Sequence, residues 1–375
     1  MTGGAFLVLL GLIYAAAHGV RLALAGGQRD ADPRAEATVT VLQPILSGDP
    51  ALAHCLAPGP EQAPNAQFVW LVDDDDAEGR AVAQRLAAGQ GNVTVVSGQP
   101  PVDGENPKTL KLIRGQDRGI TTDVVAVLDD DTTLPDGALG RLAAIAKIHG
   151  GLATALPSWG RAPMTAAEAL VAGFVDGQGA SAYLSMARLG RNRTINGMAY
   201  AVPLDELGRL GGFAAMGHGV TDDWAIARLF QSGGRPILQT TVPARVAVSV
   251  QGIAQATGLL RRWTIFAHRY IRANLDGAMV ALVLVPGVLP LVGLVLATFL
   301  GAWAVGAWVA LLWARAALHL RLVRQIGGAG AAPLWAVVLA ELALPVLSVA
   351  AAIRPNAIRW RSRRMRLDGG GIRYE

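Results

Sequence analysis

The sequence predicts an α/β protein: a sheet flanked by helices, joined to apolar helices at both ends of the chain. Three observations predict it. β-rich runs alternate with helical patterns between residues 39 and 128, the pattern of a parallel, nucleotide-binding sheet. Two of those runs end in aspartates. The apolar residues, 52% of the 375, concentrate towards the two termini and give a mean hydropathy of +0.37, high for a purely soluble chain.

The elements follow in order. Ala5–Leu24 is an apolar segment interrupted by His18 and Arg21. Ala23-Leu24-Ala25 resembles a signal-peptidase site, but Met1–Ala5 carries no basic residue and Arg21 lies just before the cut, so an uncleaved anchor is expected. Val39-Thr40-Val41-Leu42 is a short strand that stops at Gln43-Pro44, where proline ends ladder pairing. Gln67–Val72 is a second strand and runs into Asp73-Asp74-Asp75-Asp76; Asn92–Val96 is a third. Helical patterns lie around Ala77–Ala88 and Thr109–Arg118. Val124–Leu128 is wholly apolar, as a strand covered on both faces should be, and leads into Asp129-Asp130-Asp131. An amphipathic helix is expected over Asp223–Gln231, after the glycine-rich Gly217-His218-Gly219-Val220.

The remainder reads as membrane-associated. Ala278–Trp313 carries no charge and has room for two spans of about 18 residues each. Pro333–Ile353 is a further apolar segment with Glu341 in its middle. Arg261, Arg262, Arg269 and Arg272 precede these segments, and Arg354, Arg359, Arg361, Arg363, Arg364 and Arg366 follow them. That is the positive-inside pattern, with attraction to anionic phospholipid headgroups. Three C-terminal spans would leave the arginine-rich tail opposite the central domain, so one segment is expected to be re-entrant or interfacial, or the topology to be unusual. The resulting division is an anchor (1–25), a cytoplasmic catalytic domain (26–255), an interfacial segment (256–276), transmembrane or re-entrant segments (277–353) and a basic tail (354–375).

Composition excludes several classes. One cysteine, Cys55, rules out an internal disulfide and fits a reducing compartment. The net charge is +5, yet lysine occurs only at Lys108, Lys111 and Lys147, and no stacking or base-reading motif points to nucleic acid. In open α/β sheets ligands bind beyond the carboxyl ends of strands. Asp129 and Asp131 form an Asp-x-Asp pair at such an end, and two hard oxygen ligands there suit Mg²⁺ or Mn²⁺ held against a diphosphate.

Five motifs then occur in one order: Val41-Leu42-Gln43-Pro44 with Ser47-Gly48-Asp49-Pro50, Asn106-Pro107-Lys108, Asp129–Asp131, Asp222-Asp223 and Arg262-Trp263. That order resembles the inverting nucleotide-sugar transferases of glycosyltransferase family two and, more narrowly, the ceramide glucosyltransferases of family twenty-one. The likeness covers nearly the whole chain, to Ile358-Arg359-Trp360 and Gly369-Gly370-Gly371.

The resemblance implies a GT-A-type mixed sheet, a UDP-sugar donor (UDP-glucose foremost), a divalent metal and a ceramide-like membrane lipid as acceptor, in a bacterial inner membrane. Gln43 and Pro44 would border the uracil through backbone contacts. Asp74 by register, or Asp73, would hold the nucleoside, most of the acidic run being a solvated turn because four adjacent carboxylates cannot all be buried and charged cheaply. Lys108, in the first turn of a helix that favours anions, would face the phosphates or the nucleoside. Asp131 would ligate the metal, Asp129 would hold the ribose or share the metal, and Asp130 would turn to the sheet edge or a hydrogen bond. Asp223 would be the catalytic base, with Thr221 or Asp222 as helix N-cap. Arg262 would bind the diphosphate and Trp263 wall the acceptor, although Leu259 stands where the family carries Gln or Arg. Arg261 would meet headgroups, and His218 would lie in a surface loop. Other readings are transfer to a hopanoid, a diacylglycerol or a polyprenyl phosphate, a processive polysaccharide synthase, and a membrane-anchored scaffold without catalysis.

Overall fold

A computed structural model describes residues 2–28, 30, 36–162, 165–217, 219–361, 363–368 and 371–374. The chain divides into two units: residues 29–156, 192–249 and 355–375 form one, and residues 1–28, 157–191 and 250–354 the other.

The first unit is built on an eight-stranded sheet. Its strands are β1 (Val39–Pro44), β2 (Gln67–Asp73), β3 (Val93–Gly98), β4 (Val124–Leu128), β5 (Thr132–Thr133), β6 (Leu152–Trp159), β7 (Ala199–Pro203) and β8 (Ile237–Val246), in the order β3-β2-β1-β4-β7-β6-β8-β5. β1 pairs in parallel with β2 and β4, and β2 with β3. Parallel neighbours need crossovers. These run through the short helices Leu52–Leu56 and Pro58–Gln62, then Ala77–Ala87, then Pro107–Gln116. β7 turns the order over, pairing antiparallel with β4 and β6. The sheet is therefore mixed, and the all-parallel reading of residues 39–128 holds only for its first four strands.

Both faces are covered. Val124, Ala126 and Leu128 point into one core with Val41, Phe68 and Trp70; Val125 and Val127 point into the other with Leu42, Tyr200 and Phe230. This alternation explains why β4 reads as an unbroken apolar run. Cys55 is buried as a thiol, outside any disulfide.

Residues 355–375 belong to this unit as a three-stranded sheet of β9 (Ala357–Trp360), β10 (Arg363–Asp368) and β11 (Gly371–Tyr374), ordered β11-β10-β9. The Tyr374 N–H donates to Asp103 Oδ1 at 2.8 Å and its hydroxyl to the Glu105 carbonyl at 3.0 Å.

The second unit is helical. Gly3–Gly26, Gly277–Leu300, Ala302–Gln325 and Leu334–Ile353 are each long and apolar enough to cross a membrane. Helix Ile253–Asn274 and a helical run Ala166–Arg188, with a π-turn at Val175–Gly179, complete it. Polar side chains inside this unit find one another. Tyr14 donates to Glu341 Oε1 at 2.9 Å, Arg21 to Ser181 Oγ at 2.8 Å, and Arg315 to the Gly177 carbonyl at 2.7 Å. Such groups are costly among apolar helices unless paired.

In the sheet, Gln43 and Trp70 are register partners, and the Trp70 indole N–H donates to Gln43 Oε1 at 3.0 Å. Trp70→Phe removes the donor, strands that oxygen and leaves space in the core, and is expected to cost about 1–3 kcal/mol for the unpaired oxygen with a cavity cost on top. Chemical denaturation of the purified protein checks it.

Candidate active site

The carboxyl ends of β1, β2 and β4 carry the candidate residues. Asn106 starts the arrangement. Its side-chain oxygen accepts from the N–H groups of Lys108 and Thr109 at 2.9 and 3.1 Å, capping helix Pro107–Gln116, with Pro107 at a helix start where no N–H is needed. Its amide nitrogen donates to the carbonyls of Gly219 and Val220 at 2.9 and 3.2 Å. One residue thereby ties the Asn-Pro-Lys turn to the loop that leads into Asp222 and Asp223.

Lys108 is buried, and its ammonium lies 2.6 Å from Asp129 Oδ1, 2.9 Å from Asp222 Oδ2 and 2.9 Å from the Gly197 carbonyl. Burial alone would lower its pKa, but Asp129 and Asp222 outweigh it and hold the ammonium well above the ordinary lysine value. Three donors of the ammonium expected to face the phosphates or the nucleoside are directed at protein oxygens.

Asp129 is pushed up to about 7 by burial and by its neighbours Asp131 and Asp222, against the pull of Lys108. Asp131 accepts from the Thr132 hydroxyl at 3.2 Å, and its backbone carbonyl accepts from Ala247 N–H at 2.8 Å. Gln43 turns inward, its amide donating to the Asp129 carbonyl at 3.3 Å, and Pro44 is the last residue of β1.

Asp222 opens helix Asp222–Ser232 but does not cap it; Thr221 holds the N-cap position without a side-chain bond, and Asp222 is spent on Lys108. Asp223 Oδ1 accepts from Trp224 N–H at 2.7 Å. Burial, then Asp222, raise Asp223 to about 7. Gly197 fits between them. Its φ of +74° favours glycine, and a Cβ there would fall 2.9 Å from the Asp223 Cβ.

The acidic run after β2 departs from expectation. Asp73 is fully buried, with Lys111 at 3.0 Å, Arg363 at 2.8 Å and Arg114 at 3.7 Å. Asp76 is also buried and caps helix Ala77–Ala87 by accepting from Gly79 N–H at 2.9 Å. Only Asp74 and Asp75 are exposed, so the solvated turn is half the length expected. Three cations make the burial of Asp73 tolerable.

Arg361 and Arg363 correct a second expectation. They are not lipid-facing. Arg361 grips Asp130 through two bonds of 2.6 Å and lies 3.9 Å from Asp131; Arg363 joins Asp73 to Asp75. Asp130, expected at the sheet edge or in a hydrogen bond, also accepts from Leu46 N–H at 2.8 Å. Lys111, Gly197, Arg361 and Arg363 were not singled out by the sequence. Lys111 was signalled by its place three residues after Lys108, one turn along the same helix face.

Arg262 and Trp263 lie in the other unit, on helix Ile253–Asn274, where the Trp263 ring sits 5.9 Å from Phe174. His218 lies outside the described residues, as do Gly369 and Gly370. Among the described residues no group of three or more His, Cys, Asp or Glu side chains converges for a metal. Asp129 and Asp131 remain a fitting pair: both are partly exposed at one strand end, and each raises the demand for a nearby cation.

Comparison with known proteins places this geometry. The Glycosyl transferase family 21 profile matches residues 4–373, and the chain belongs to that family. It is a glycosyltransferase with a GT-A-like fold. The mannosyltransferase PcManGT from Pyrobaculum calidifontis, solved in complex with GDP-Man and Mn²⁺, is similar over 93% of this chain and 98% of its own, with 18% identity and a TM-score of 0.51. GalNAc-T7, solved with UDP, GalNAc and Mn²⁺, aligns over 63% of this chain and 50% of its own, with 12% identity and a TM-score of 0.39. No curated protein sequence matches.

Two outcomes follow. Gly197→Ala forces Asp223 and the Lys108 carbonyl partner apart and is expected to lower transferase turnover by about tenfold or more, since small misplacements at a reacting centre are costly; steady-state kinetics on folded protein reads it. Arg361→Ala leaves buried Asp130 without its cation and is expected to destabilise by about 3–5 kcal/mol, seen as a lowered thermal midpoint in detergent.

Proposed function

We propose that the protein transfers a hexose from a UDP-sugar, UDP-glucose foremost, to the hydroxyl of a membrane lipid, ceramide foremost, with inversion. The observation that carries the reading is the chain of contacts Asp129–Lys108–Asp222, with Asp223 next in sequence and packed on Gly197. It links the end of β4, where a diphosphate and metal suit the chemistry, to a carboxylate whose pKa of about 7 suits a general base.

Asp223 takes the proton of the acceptor hydroxyl as it attacks the anomeric carbon, and the nucleoside diphosphate leaves. Asp129 and Asp131 would hold Mg²⁺ or Mn²⁺, which supplies charge neutralisation for the leaving diphosphate. Lys108, ion-paired with both, positions Asp129 and Asp222. Gln43 and Pro44 border the nucleobase. Asp74, with its exposed carboxylate, takes the nucleoside contact, because Asp73 is fully buried and ion-paired with Lys111 and Arg363. The roles of Arg262 at the diphosphate and Trp263 at the acceptor rest on the family motif. The catalytic unit faces the cytoplasm of a bacterial inner membrane, where nucleotide sugars occur, and the apolar helices bring lipid acceptors within reach. Mn²⁺ in the structure of PcManGT supports metal dependence.

The first test is reconstitution in lipid with UDP-glucose, Mn²⁺ or Mg²⁺ and ceramide, reading hexosylceramide by mass spectrometry. Metal-dependent product is expected. UDP release without product refutes ceramide and directs the search to a hopanoid, diacylglycerol or polyprenyl phosphate; neither product nor UDP with any sugar nucleotide refutes the transfer reading. Asp223→Asn is expected to abolish transfer while UDP binding survives, and near-normal turnover would remove Asp223 from the role. With a carboxylate of pKa about 7, the base is protonated and idle in acid. Wild-type kcat/KM should therefore rise about tenfold per pH unit below 7 and level off above it.

A further inference from the structure

Leu334–Ile353 passes every compositional test for a membrane span. It has 20 residues and a mean hydropathy of 2.3 over its apolar window. At 1.5 Å per residue it is about 30 Å long, enough to cross a bilayer. The contacts at its two ends say otherwise.

Parity comes first. The chain leaves the catalytic unit after Ser249 and rejoins it at Pro355. The returning tail is bonded to that unit through Arg361–Asp130, Arg363–Asp73 and Tyr374–Asp103, so both lie on one side of any membrane. Three membrane-length helices intervene. An odd number of crossings cannot bring a chain back, so one of the three does not cross.

The contacts inside the helical unit identify which. Gly3–Gly26 fixes the two sides, because its C-terminal end leads into the catalytic unit. Its other end, Gly3, packs on Leu300: a Cβ at Gly3 would lie 3.0 Å from the Leu300 side chain. The turn at Gly301, with φ of +104°, is therefore on the far side. Helix Gly277–Leu300 starts on the near side, where Asp276 meets Arg191 at 3.2 Å, one residue before the chain re-enters the catalytic unit. Helix Ala302–Gln325 runs back beside Gly3–Gly26, its Trp308 against Gly11 and its His319 ring 5.0 Å from that of His18. These two helices cross.

Both ends of Leu334–Ile353 are then on the near side. The link before it packs Gly328 on Ser158, two residues past Leu156 of the catalytic unit, and Ala332 N–H donates to Asp176 Oδ2 at 3.2 Å. Its first turn lies against Gly173, where a Cβ would fall 2.4 Å from the Ala336 carbonyl. At its far end the Arg354 carbonyl accepts from Arg261, nine residues into helix Ile253–Asn274, which itself starts just after the catalytic unit. Pro355 follows at once.

We infer that Leu334–Ile353 does not span the membrane but lies within the leaflet on the catalytic side, entering and leaving through the same face. Its apolar surface, with Val346 58% and Val349 61% exposed, meets the acyl chains of that one leaflet. Glu341 on its opposite surface is held by Tyr14 and Arg315. Three helices cross, and the tail returns to the catalytic side.

Single cysteines in a Cys55→Ser background test this with a membrane-impermeant maleimide on sealed vesicles of known orientation. Trp303→Cys marks the far side, Glu78→Cys marks the catalytic unit, and Ala329→Cys and Asn356→Cys bracket the helix. Labelling of positions 329, 356 and 78 from one face, with 303 from the other, is expected. Labelling of 329 and 356 from opposite faces overturns the inference. Should any variant fail to accumulate, protease protection of an epitope placed after Glu375 on the wild-type chain decides between the same outcomes. The readout needs no enzymatic activity, so it stands apart from the choice of donor and acceptor.

Discussion

Too many carboxylates at one place is the constraint around which the catalytic unit is built. The ends of β2 and β4 bring Asp73, Asp129, Asp130 and Asp131 forward, and the loop after Gly219 adds Asp222 and Asp223. Like charges at short range in a partly dry site repel strongly unless balanced. Five cations balance them, and unevenly. Lys111, Arg363 and Arg114 surround Asp73, and Arg361 saturates Asp130. Lys108 is shared between Asp129 and Asp222. What remains under-compensated is Asp129 and Asp223, both held near neutrality in pKa. The charge imbalance separates carboxylates that hold the fold from those free to act on a ligand.

Glycine and asparagine carry the finer adjustments. Gly197 lets backbone pass between a lysine and an aspartate without a side chain, and Asn106 binds two loops while capping a helix. Neither residue needs to touch a substrate to matter, because both set where Lys108 and Asp223 stand.

Much of this was legible in the sequence. The four strands over residues 39–128 and the helices Ala77–Ala87 and Pro107–Gln116 stand where periodicity puts them, because each is β-branched or clearly amphipathic; the five-residue helices Leu52–Leu56 and Pro58–Gln62 are too short to show a period. β6 and β7 were not legible. Leu152–Trp159 and Ala199–Pro203 are alanine-rich and buried on both faces, which erases both propensity and alternation. The charged residues divided the same way. Asp129, Asp131, Lys108 and Asp223 could be named from motifs. Arg361 and Arg363 could not, since an arginine-rich segment after an apolar helix looks like a headgroup contact, and only tertiary pairing across more than two hundred residues gives it another role. Local patterns report secondary structure; they are silent on which distant charge will cancel which.

The position of those two arginines has a consequence for how the protein is made. A chain is synthesised from its N-terminus, and its domains begin to fold as they emerge. Here the strand ends and their aspartates emerge early, while Arg361 and Arg363 come only after every apolar helix has been translated. Until then Asp130 lacks its counter-charge and Asp73 has only Lys111 and Arg114, so the nascent catalytic unit carries an incompletely balanced acidic edge. Translation of Arg361 and Arg363 neutralises it. Products that stop before Arg361 therefore keep the motifs of a transferase without a settled site, and the strands after Pro355 work as a seal that closes only once the apolar helices have been made.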